Sequence, residues 1–161
     1  MEEFNEAYLD EVKKDLLRKI EKIKVYTESR DVKKIINSAE TLAKQERPSL
    51  NARAGSIFAS RLLLTAVIEK MREGKEGKKQ MELERIAYDF KELSMAGAHG
   101  GPIVGLIAYL TRKLTDIFTG ERIFKEKVGK LALKTLESAR ISEEYEGELR
   151  KIIKERVKRT F

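Results

Sequence analysis

The chain has 161 residues, with 34 Lys and Arg against 27 Asp and Glu, a net charge of +7, one histidine and no cysteine. Without cysteine there is no disulfide, thiolate metal site or cysteine nucleophile, and the length suits a single domain over 1–161. Charged residues make up 38% of the chain against the usual value of roughly a quarter; with both signs interspersed, this fits solvated helix faces and resembles hyperthermophile proteins.

The start, Met1-Glu2-Glu3-Phe4-Asn5-Glu6, is acidic and polar, unlike a signal peptide. Leu9, Val12, Leu16, Ile20 and Ile23 then recur at helical spacing, which predicts a first helix with one apolar face. Lys13, Lys14, Lys19 and Lys22 are expected elsewhere on its wheel. Ser29 reads as the N-cap of a second helix, with Asp31 in the first turn and Val32, Ile35, Ala39 and Leu42 as its stripe. Arg47-Pro48 ends it, because the residue before proline is pushed out of the α region.

Ser49 is expected to cap a third helix that Gly74 and Gly77 terminate. Apolar residues cover more than one of its faces. Small residues at Ala52, Ser56 and Ser60, and at Gly55 and Ala59, would let another helix approach closely. A fourth helix carries Leu83, Ile86, Phe90 and Leu93. A fifth begins at Pro102, where a missing N–H costs little, and ends at Gly120; with Gly105 and Ala108 among apolar residues, it is expected to cross the third. Phe124, Val128, Leu131 and Thr135 mark a sixth helix, and Leu149, Ile153 and Val157 a seventh capped by Ser142. No run alternates with period 2. The expected architecture is an all-α single-domain bundle of six to seven helices, with central apolar helices at about 49–72 and 102–118. The longest apolar runs, Leu62–Leu64 and Ile103–Leu110, fall short of the roughly 18 residues that span a bilayer. A cytoplasmic protein with no membrane contact is expected.

Three places could carry chemistry. The run Gly97-Ala98-His99-Gly100-Gly101-Pro102 holds the sole imidazole. The backbone N–H groups of Gly100 and Gly101 could cradle an anion, so His99, Gly100 and Gly101 form a candidate ligand site. The run follows a helix, lacks Gly-x-Gly-x-x-Gly spacing and is not followed by Gly-Lys-Ser/Thr; the plainer reading is a tight turn between helices. The carboxylate pairs Glu73/Glu76 and Asp89/Glu92 have the i, i+3 spacing with which all-α nucleotide pyrophosphohydrolases hold Mg²⁺, but lysines and turn glycines surround the first. Third, residues 1–50 carry no net charge while residues 101–161 carry +5. Arg150, Lys151, Lys154, Arg156, Lys158 and Arg159 face only Glu155 at the end of the chain. Such a helix could meet phosphates, although cations in a last turn also complement the helix dipole.

These observations point first to a non-enzymatic helical interaction or assembly protein, engaging a protein partner or a second copy of itself, with no catalytic residue, metal or cofactor. The alternative is a basic nucleic-acid-binding or nucleoprotein subunit using the C-terminal helix. A small-anion or nucleotide-binding helical protein, or an all-α hydrolase, comes third.

Overall fold

The computed structural model describes residues 2–73, 85 and 117–159. Among them are five helices and no strand: α1 (Glu2–Lys24), α2 (Arg30–Lys44), α3 (Leu50–Glu73), α4 (Ile117–Ser138) and α5 (Glu143–Arg159). The all-α class holds. The six to seven helices expected are not found among the described residues, and the helix expected at 83–93 and most of that at 102–118 lie outside them.

Local chemistry sets most of the boundaries. Val32 N–H donates to Ser29 Oγ at 3.4 Å, and Ala52 N–H to Ser49 Oγ at 3.1 Å. Each hydroxyl thus satisfies an amide that has no partner inside its helix. At the end of α1, Thr27 Oγ1 donates to the Ile23 carbonyl at 2.9 Å, and the Val25, Tyr26 and Thr27 amides turn back onto Lys22, Ile23 and Lys24. One expected boundary is wrong. Gly120 was to close a helix, yet α4 runs through Thr119-Gly120 to Ser138. A lone interior glycine costs a helix only about 1 kcal/mol, which its neighbours cover. The stop comes at Arg140, whose φ of 53° turns the chain out of the helix.

α3 is the axis of the fold and packs against each of the other four described helices. Its apolar residues from Ala54 to Met71 are buried on several sides, including Ile57, Phe58, Leu63, Leu64, Val67 and Ile68. Around it α1 turns in Leu9, Val12, Leu16, Ile20 and Ile23, and α2 turns in Val32, Ile35, Ile36, Ala39, Leu42 and Ala43. α4 and α5 contribute Val128, Ala132, Leu136, Leu149 and Ile153. The stripes read from spacing on α1 and α2 are buried, as are Leu149 and Ile153 of α5, whereas α4 buries Val128, Ala132 and Leu136 and leaves the expected Leu131 and Thr135 half-buried.

The expected crossing of two small-residue helices is only partly seen. No described atom lies within 4 Å of a Cβ placed on Gly55, and Gly105 lies outside the described residues. Ser60 does allow a close approach, but of α2: its Oγ donates to the Ala39 carbonyl at 2.7 Å. Among the described residues the tightest glycine contact is between α4 and α5, where a Cβ on Gly129 would stand 3.0 Å from Val157 Cγ2. Replacing Gly129 with leucine is expected to cost about 1–3 kcal/mol through overpacking, read as a lower midpoint in urea. An unchanged midpoint would show that the two helices separate without penalty.

Candidate binding surface

The residues expected to bind nucleic acid lie on α5, spread over more than one of its sides. Arg156 turns inward: its Nε and Nη2 donate to Glu69 of α3 at 3.4 and 3.1 Å. Arg150 lies 3.8 Å from Glu146, one turn earlier on its own helix. Lys151, Lys154 and Lys158 are exposed at spacings of three and four, and share the side opposite Leu149 and Ile153. The side chain of Arg159 lies outside the described residues, as do His99, Gly100 and Gly101. Glu143, Glu144 and Glu155 are exposed on the same helix. The C-terminal surface is therefore of mixed sign, with a row of three lysines.

A cleaner separation of charge occurs on α2. At about 100° per residue, Arg30, Lys33, Lys34, Asn37, Thr41 and Lys44 all lie within about 60° of the direction opposite the buried stripe. All six are exposed. The helix has two carboxylates, Asp31 and Glu40, at its flanks, and both are engaged. Asp31 Oδ2 accepts from the Ser142 amide at 3.4 Å. Glu40 accepts from Lys24 of α1 at 2.9 Å and lies 3.8 Å from Lys44. The bond from Lys24 lowers the Glu40 carboxyl below the usual range, and Glu40 in turn raises Lys24. The outward side of α2 consequently carries four cations, one amide, one hydroxyl and no carboxylate.

The turn between α4 and α5 is joined to this face and carries exposed Arg140, flanked in sequence by the exposed carboxylates Glu137, Glu143 and Glu144. Lys34 Nζ donates to the Arg140 carbonyl at 3.3 Å, and the Ser142–Asp31 bond lies beside it. Together they pin the turn to the first half of α2 and set exposed Arg140 next to Lys34. Arg140 is the one non-glycine residue with positive φ among the described residues, a conformation that a side chain beyond Cβ adopts at a cost.

The summed charge of residues 1–50 is zero, which hides this face from a count by segment. The signal was nevertheless present: cations at 30, 33, 34 and 44 fall opposite the stripe at 32, 35, 39 and 42.

A second electrostatic cluster is buried. Lys19, expected off the apolar stripe of α1, is 6% exposed, and so is Arg61 of α3. Lys19 Nζ donates to Asp15 Oδ2 at 2.6 Å. Burial raises the Asp15 carboxyl, but the bonds from Lys19 and Arg18 outweigh it and hold Asp15 below its usual range. Burial lowers the Arg61 guanidinium to about 10, against the opposing pull of Asp15, so it stays charged at neutral pH. Among the described residues, no group of three or more His, Asp or Glu side chains could hold a metal ion. None of the described helices is long and apolar enough to cross a membrane. Comparison of the chain with family models, with curated proteins and with solved structures found no match.

Proposed function

We propose that this chain is a non-enzymatic helical interaction protein that meets its partner through charged outer helix faces. The carrying observation is the division of α2: every apolar residue of its stripe is buried, and its outward side holds cations and neutral polar groups. Val25 is the sole large hydrophobic side chain fully exposed among the described residues, whereas the α2 face is exposed and cationic. Self-association was motivated by the two apolar helices at about 49–72 and 102–118; the apolar residues of α3 from Ala54 to Met71 are buried, and most of the other helix lies outside the described residues. The cationic outward side of α2 favours a partner of opposite charge.

Sedimentation with and without heparin tests this reading. The protein is expected to bind heparin at low salt and release it as salt is raised, because screening weakens contacts between exposed charges. Absence of heparin binding, or a complex that tightens with salt as apolar contacts do, would contradict it.

A further inference from the structure

Resting on that charge-driven reading, we infer that the partner is a nucleic-acid duplex, and that it is held by Arg30, Lys33, Lys34 and Lys44 of α2 together with Arg140. The C-terminal lysines are secondary. Two observations favour a phosphate backbone over an acidic protein, and a third favours a duplex over a single strand. The outward side of α2 lacks any large apolar or aromatic residue, whereas protein interfaces need a desolvated apolar centre. Interfaces with nucleic acid are more polar and much more positive, and Asn37 and Thr41 add neutral groups of the kind that bond phosphate and sugar oxygens. Lastly, the described aromatic side chains Tyr26, Phe58 and Tyr145 pack against the core. No stacking platform is offered by them, and single-strand binding without sequence preference relies on such platforms.

The dimensions suit a duplex. From Arg30 to Lys44 the helix rises about 21 Å, roughly six base steps of a duplex strand at 3.4 Å each. The cations repeat at the near end, where Arg140 joins Arg30, Lys33 and Lys34, and Lys44 marks the far end. Recognition at such a surface follows charge and shape, with no base-reading element.

Arg140 sharpens the proposal. Its left-handed backbone is one that glycine adopts without penalty, so Arg140→Gly removes a cation from the face while easing the local conformation. A residue present only to end α4 would be replaced by glycine at no loss. A residue that contacts phosphate would not.

The test measures binding of the full chain to a labelled random-sequence duplex, a single strand of the same length, an acidic peptide and anionic vesicles. The duplex is expected to bind best. K33E/K34E, with K33Q/K34Q as a milder pair whose fold is checked by circular dichroism, is expected to weaken it on the order of tenfold or more, equally for all sequences. Arg140→Gly should weaken it severalfold while thermal unfolding stays level or rises. K151E/K154E/K158E should weaken it less than K33E/K34E does. If the C-terminal triple abolishes binding while the α2 pair leaves it intact, the assignment to α2 is overturned. Preference for the acidic peptide or the vesicles overturns the duplex and leaves the charge-driven reading standing; binding of no polyanion overturns both.

Discussion

Leu63→Ala is expected to lower the stability of the fold by about 3–5 kcal/mol, the upper part of the range for leucine truncation in a core. Leu63 is 0% exposed in the middle of α3, the helix on which the other four described helices rest. Truncation removes its transfer free energy and leaves a cavity inside the core. For a chain of ordinary stability, about 5–15 kcal/mol, that is a large share. Urea unfolding gives the number, with Val25→Ala as comparison. Val25 is 77% exposed, so its truncation should stay within about 0.5 kcal/mol of wild type. Equal effects of the two would mean that α3 is not the axis of the core.

Asp15→Ala carries the second large effect. Asp15 is the carboxylate that faces Lys19 and opposes the loss of charge on Arg61, both cations being almost fully buried. Breaking a buried pair by removing one member costs about 3–5 kcal/mol. Here the Asp15 side chain keeps 22% of its exposure, which lets water reach the site, and about 2–3 kcal/mol is expected. The pH dependence identifies the cause. The folded-state carboxyl is held lower than in the unfolded chain, so its contribution is full above the usual carboxylate value of about 4 and is lost as pH falls through the lower folded value. The gap between wild type and Asp15→Ala should therefore be constant near neutrality and shrink in acid below about pH 4. A gap that persists in strong acid would assign the loss to packing and not to charge.

How much of this was legible beforehand depends on where the decisive partner lies. Ser29 and Ser49 bond amides three residues on, so both caps could be read from the sequence. The stripes of α1 and α2 were equally plain, because helical spacing alone decides which residues share a side. Lys19 was read only as lying off the apolar stripe of α1, yet it is 6% exposed. Its bond to Asp15 is local, but its burial is tertiary, which no local spacing reveals. Arg156 looked like part of a cationic cluster and is turned by Glu69, 87 residues away. The contact of Gly129 with Val157 is likewise tertiary. The α2 face differs from these: its spacing was in view, but adding charges along the chain averaged it against the carboxylates of α1. The glycine run with His99, one of the three places that could carry chemistry, lies outside the described residues.

The central claim is that a cationic face on α2 binds a duplex backbone, and the dependence of that binding on salt measures it most directly. For a duplex the logarithm of the binding constant falls with the logarithm of salt at a slope of about −0.9 per neutralised phosphate. Five contacts, from Arg30, Lys33, Lys34, Lys44 and Arg140, predict a slope of about −4 to −5, and K33Q/K34Q should make it shallower by about 2. A slope unchanged in K33Q/K34Q but made shallower in K151Q/K154Q/K158Q would contradict the claim and return the binding surface to the C-terminal helix.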